Sequence, residues 1–147
     1  MEAKRQCMRC MEFYDPQFDI CPYCGYEENS VKKELLHIDA GTVLAERYLI
    51  GNALGFGGFG VTYIGYDRKL KRRVAIKEYL PSEFATRALH QPEVMINNNE
   101  KKKQQFSDGM KKFIDEAKSL AKLSSLDGIV HIYDSFEANN TAYIVME

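Results

Sequence analysis

The run Leu54-Gly55-Phe56-Gly57-Gly58-Phe59-Gly60, followed after a short charged turn by Val74-Ala75-Ile76-Lys77, has the residue types of a phosphate grip. Glycine has no Cβ, so backbone can approach phosphate oxygens closely, and a lysine on a neighbouring strand reaches them with its charge. A G-x-G-x-x-G alone is weak, because dinucleotide folds and ordinary glycine turns share it. The dinucleotide arrangement needs a helix directly after the third glycine. Here Gly60 is followed by Val61-Thr62-Tyr63-Ile64-Gly65-Tyr66, whose β-branched and aromatic residues read as a strand. The glycines therefore sit at a hairpin tip. No Gly-Lys-Ser/Thr closes the loop, which excludes a P-loop.

A second constellation lies near the N-terminus. Cys7, Cys10, Cys21 and Cys24 form two C-x2-C pairs separated by ten residues. In a reducing compartment such pairs read as a metal site rather than as disulfides. Zn²⁺ takes four thiolates tetrahedrally, and each C-x2-C turn delivers two of them; an iron site or a redox dithiol is the alternative. The second knuckle, Cys21-Pro22-Tyr23-Cys24-Gly25, has a glycine that lets the chain curl back toward sulfur. The first has Met11 in that place, which weakens the turn without removing a ligand. Residues 1–28 are too few for a self-sufficient core, so metal must supply much of their folding free energy. The pattern resembles a zinc ribbon with a closed, structural site. Its partner is not legible.

The whole chain bounds these readings. Its 147 residues leave room for one domain and a small appendage, and 45% apolar with 28% charged residues is ordinary globular composition. A net charge of −1 gives no electrostatic case for nucleic acid or an anionic membrane. No apolar run is long enough to cross a bilayer, and the N-terminus lacks a signal-peptide core, so a cytoplasmic setting is expected.

The elements that must position the lysine follow from periodicity. Residues 29–40 read as a linker and 41–147 as the main domain. Strands are expected over 47–54, 61–67 and 73–79, with Ala75 and Lys77 on one face of the last and Val74 and Ile76 on the other. Ala75 is small enough for an adenine to lie against it. Residues 81–102 read as an irregular polar loop with solvated lysines. From Lys103 to Leu123, Phe106, Met110, Phe113, Ile114, Ala117, Leu120 and Ala121 follow helical spacing. Glu116 lies at the edge of that stripe, either solvent-facing or paired. A loop over 124–128 ends the helix, and 129–136 with 141–146 form a hairpin around residues 137–140. His37, His90 and His131 have no motif partners and read as surface or strand histidines.

The order of these elements, and the segments LGFGGFGVTYIGYDRKLKRRVAIKEYLPSE, FIDEAKSLAKLSSLDGIVHIYDSFEANNTAYIVME and GTVLAERYLI, resemble the N-terminal lobe of bacterial Hanks-type (eukaryotic-like) Ser/Thr protein kinases over residues 41–147. The resemblance implies an α+β fold: a five-stranded antiparallel sheet with one long helix, behind the zinc ribbon. It implies that Leu54, Gly55, Phe56, Gly57, Gly58, Phe59, Gly60, Thr62 and Ala75 cover ATP, with Met146 as gatekeeper and Glu147 opening the hinge that bonds adenine. Lys77 would hold the α- and β-phosphates, and Glu116, rather than its neighbour Asp115, would pair with Lys77 in the active state. Leu120 and Ile132 would be hydrophobic-spine residues. Thr62 departs from the family's valine and brings a hydroxyl of similar shape.

The motifs H-R-D-x-x-x-x-N and D-F-G, which supply the base and the Mg²⁺ ligands, do not occur in the sequence. The expectation is therefore the ATP-binding half of a kinase, inactive alone, whose parent transfers phosphoryl to Ser or Thr of a protein substrate. Apolar surface uncovered by an absent C-lobe would favour self-association. The competing readings are a pseudokinase that binds ATP as a switch, and a non-catalytic interaction module built on the ribbon.

Overall fold

The computed structural model describes residues 4–27, 37–57, 60–123 and 131–147. The first of these stretches is the ribbon. Its strands β1 (Arg5–Gln6) and β2 (Phe13–Tyr14) pair antiparallel, and an isolated bridge joins Ile20 to Glu27. Cys7, Tyr14, Cys21 and Tyr26 form its small core. That core is two cysteines and two rings.

The main sheet has six antiparallel strands: β3 (Val43–Leu44), β4 (Tyr48–Phe56), β5 (Gly60–Asp67), β6 (Arg72–Tyr79), β9 (Ile132–Ala138) and β10 (Thr141–Met146), in the order β3-β4-β5-β6-β10-β9. This corrects the expected five-stranded sheet. The additional strand is the two-residue edge β3, which Ala45 and Glu46, both at positive φ, turn back onto β4. The α+β character stands. β9 and β10 are joined through Asn139 and Asn140, both left-handed, as a two-residue hairpin turn requires.

The sheet curls on itself. Tyr48 on β4 stacks on Phe136 of β9, with ring centroids 5.7 Å apart, and its hydroxyl donates to Asp134 at 2.7 Å. Inside the curl lie Ile50, Val61, Tyr63, Val74, Ile76, Tyr143 and Val145. Val74 and Ile76 are buried there while Lys77 is exposed, as strand alternation predicts.

Residues 81–97, expected to be irregular, instead contain a short hairpin of β7 (Ala85–Arg87) and β8 (Val94–Ile96). Ala85 and Val94 add to the core, and Arg87 is buried. The reason is an ionic network. Arg87 donates through both terminal nitrogens to Glu78, which also accepts from Tyr63 at 3.0 Å and Tyr143 at 2.7 Å. Burial raises both tyrosine pKa values, and the nearby Glu78 carboxylate raises them further. The backbone N–H of Ile38 donates to the Tyr63 hydroxyl. His37 and Ile38, read from sequence as linker, are thus packed into the lobe, His37 edge-on to Phe56 and Tyr63.

The helix α1 (Glu100–Lys122) starts at Asn99, whose side chain accepts from the N–H groups of Lys101 and Lys102. Phe106 and Ala117 are buried, Met110, Phe113 and Ile114 are partly covered, and Leu120 and Ala121 face solvent. The helix approaches the sheet closely at Gly109, where a Cβ would collide with the Tyr79 hydroxyl. That hydroxyl donates to the carbonyl of Phe106 at 2.9 Å. The expected loop over 124–128 lies outside the described residues. No helix among the described residues is long and apolar enough to cross a membrane.

Candidate functional site

Strand register assembles the face that carries Lys77. Gly55, Thr62, Lys77 and Ile144 are successive cross-strand partners, and Ile64, Ala75 and Met146 form the next row. Cross-strand partners share a face, so the first loop glycine, Gly55 on β4, the valine-position Thr62 and the lysine come together beside Ala75 and Met146. Leu54 and Phe56 are exposed on the strand leading to the hairpin tip, and Gly57 donates its N–H to the carbonyl of Gly60 at 3.0 Å. Gly58 and Phe59 lie outside the described residues. Glu147 is exposed, and its N–H donates to the carbonyl of His131 at 3.0 Å.

Lys77 and Glu116 are not brought together. Lys77 Nζ lies 6.0 Å from the centroid of the Phe113 ring, one helical turn before Glu116, and Glu116 is exposed without an ion pair to Lys77. The Phe113 ring, tilted against Tyr79 with centroids 5.5 Å apart, lies on the side of the helix that meets the sheet. A cleft bounded by Ile96, Phe106, Met110, Ala138 and Thr141 lies at the other end of the helix and shares no residue with the Lys77 face.

The four cysteines converge. Their sulfurs lie within 4.8 Å of one another, with Cys7 to Cys24 at 3.6 Å and Cys10 to Cys21 at 3.8 Å. A tetrahedron with metal–sulfur bonds of about 2.3 Å has sulfur–sulfur edges of about 3.8 Å, so the donor set fits Zn²⁺ and is far too open for disulfides. The N–H of Arg9 donates to the Cys7 sulfur at 3.4 Å. The Cys21 thiol is lowered to about 7: burial resists ionisation, but the N–H groups of Tyr23 and Cys24 outweigh it. Burial and neighbouring thiols push Cys10 up to about 12 against the N–H of Glu12. The carbon skeleton of the first knuckle is strained where the second is not. Met11 sits at φ 67°, the conformation Gly25 takes at 79°.

The ribbon also touches the lobe, a contact that sequence reasoning missed. The N–H of Asn52 donates to the carbonyl of Met8 at 2.9 Å, Arg73 donates to the carbonyl of Cys10 at 3.3 Å, and Phe13 meets Tyr66 edge-on at 5.7 Å. Tyr66 and Arg73 are cross-strand partners on the same face as Ile64 and Ala75. The only sequence signals for it are Gly51 in mid-strand and Met11 in a glycine's place.

No family model matches the chain. Over 107 residues, 73% of this chain, it is 36% identical to a probable serine/threonine-protein kinase of Clostridium acetobutylicum, of which the match spans 13%. The fold is similar to that of PpkA-294 in its apo form, with a TM-score of 0.68 and 35% identity, covering 76% of this chain and 38% of that one. The chain therefore spans well under half the length of these relatives. In sequence and in fold together, it is a relative of bacterial eukaryotic-like serine/threonine protein kinases.

Proposed function

We propose that residues 41–147 are the ATP-binding half of a serine/threonine protein kinase, carried behind a structural zinc ribbon. The observation that carries this reading is the row Gly55–Thr62–Lys77 lying beside Ala75 and Met146. The glycine hairpin would fold over the phosphates, with Lys77 supplying charge to the α- and β-phosphates. Ala75, Leu54 and Thr62 would cover adenine, whose edge would bond the backbone near Met146 and Glu147. Bound ATP supplies the transferable phosphoryl group. In an active parent, rotation of α1 would carry Phe113 aside and bring Glu116 to Lys77. The protein substrate belongs to the parent and is recognised elsewhere.

Because H-R-D-x-x-x-x-N and D-F-G are absent from the sequence, this chain by itself should hold nucleotide without transferring phosphoryl. Titration with a fluorescent ATP analogue tests the reading. Saturable binding lost in Lys77→Met supports it, and no binding by the wild-type chain overturns it. Phosphotransfer to a generic protein substrate by the purified chain would overturn the inactivity.

Cys7, Cys10, Cys21 and Cys24 would hold one zinc. Elemental analysis should find about one per chain, and Cys21→Ser should unfold the ribbon while the lobe keeps its unfolding transition. The separation of Lys77 from Glu116 favours a second reading, in which the chain binds ATP as a non-catalytic switch. A nucleotide-induced change in the environment of Glu116 in the parent, without turnover, would select it.

A further inference from the structure

Two knuckles of the same design differ at one residue, and the difference points outward. Gly25 closes the second knuckle in a left-handed conformation that costs glycine little. Met11 closes the first in nearly the same conformation, where a side chain is strained. A methionine at such a position needs a compensating contact, and it has one. Met11 is buried, and its Cε lies so near Gly51 that a Cβ there would collide with it. The same missing Cβ would strike the carbonyl of Met8 and approach Ile64 Cγ2 to 2.8 Å. Gly51 is thus a socket, floored by Ile64 and filled by Met11.

The socket lies at a sensitive point. It falls within the register shift of β4 between Ile50 and Ala53, and the next residue, Asn52, donates to Met8. From there β4 runs directly into Gly55 and Gly57. Ile64, the socket floor, is the cross-strand partner of Ala75. The first knuckle therefore abuts the row expected to cover adenine, on the same face, and grips the strand that feeds the glycine hairpin.

We infer that the first zinc knuckle walls the adenine end of the nucleotide cleft, with Met11 as a positioning residue that fixes β4 and the glycine hairpin through Gly51. The ribbon is then a part of the nucleotide site, and loss of its metal loosens that site. This inference rests on the ATP-binding reading for its effect on nucleotide, but not for the docking itself.

The test uses the full chain with two readouts: amide exchange at Asn52, and affinity for a fluorescent ATP analogue. Met11→Gly relieves the knuckle strain, so it should keep about one zinc per chain. It should nonetheless lose Asn52 protection and weaken nucleotide binding by about fivefold. Met11→Leu keeps an apolar side chain for the socket and should restore both. Chelation of the metal from the wild type should reproduce the Met11→Gly result. Gly51→Ala attacks the same contact from the lobe side and should also expose Asn52. Unchanged Asn52 exchange in Met11→Gly and after chelation would overturn the docking. Lost protection with unchanged nucleotide affinity would overturn the role of Met11 in the cleft. A wild-type chain that binds no nucleotide would sink the ATP reading and that role together, while Asn52 exchange would still decide the docking.

Discussion

The two faces of the curled sheet are built to opposite specifications. The inner face is closed: Tyr63, Ile76, Tyr143 and Val145 are fully buried, and the carboxylate of Glu78 among them accepts from Arg87, Tyr63 and Tyr143. The other face is left unfinished around Lys77, which is exposed. Adjacent residues of one strand, Lys77 and Glu78, thus carry opposite charges into opposite environments. A charge held by a full set of partners stabilises a shape. A charge left without one is available to a ligand.

The comparison can be broken most forcefully from the closed side. Glu78→Gln should leave the Arg87 guanidinium buried without its counter-charge, costing about 3–5 kcal/mol in denaturant unfolding. Pairing it with Arg87→Met should recover much of that loss. If Glu78→Gln is near neutral, the inner face is not the sealed structure its contacts describe. On the open side, Lys77→Met should leave the unfolding midpoint almost unchanged. Its nucleotide affinity should fall by about tenfold or more, the scale of a lost hydrogen bond to a charged group.

A pH series sharpens the contrast. Asp67, buried at the end of β5, is held down to about 2, chiefly by the Arg47 guanidinium and then by the N–H groups of Leu70 and Lys69, with burial opposing them. Its folded pKa lies below the ordinary 3.8, so its contribution is fully present above that value and is lost as pH falls toward 2. Acid unfolding curves of Asp67→Asn should flatten over that interval. The smallest effect is expected from Tyr143→Phe, which removes one of the bonds to Glu78 and should cost about 1 kcal/mol. Tyr143 also accepts from Asn139, so the loss should reach the β9–β10 turn and raise exchange there.

Much of this arrangement was legible beforehand because it is written in short-range pattern. The glycine spacing, the alternation through Val74-Ala75-Ile76-Lys77 and the cysteine pairs are local rules, and register then brought Thr62 and Lys77 side by side without further instruction. What escaped depended on distant partners. The β7–β8 hairpin has three residues per strand and is held by Arg87 reaching Glu78, which no window of sequence displays. His37 and Ile38 looked like tether because their partner, Tyr63, lies 25 positions away for Ile38. Glu116 was placed beside Lys77 in the active state by resemblance; here Phe113 is the helix residue whose ring lies near Lys77, and it packs on Tyr79. Met11 was read as a flaw in a turn, since only the folded chain shows the socket beneath it.

The contact between Tyr48 and the β9 residues Asp134 and Phe136 has a consequence for the order in which the lobe can form. The hydroxyl bond to Asp134 joins positions 86 residues apart, and it closes the curl with β5, β6 and β10 lying between the two strands. Contacts of such long sequence separation are made late. During synthesis, β4 and its glycine hairpin would emerge from the ribosome long before the strand that seals them. Of the parts that the lobe itself supplies to the cleft, the glycine hairpin would then be the first to be made.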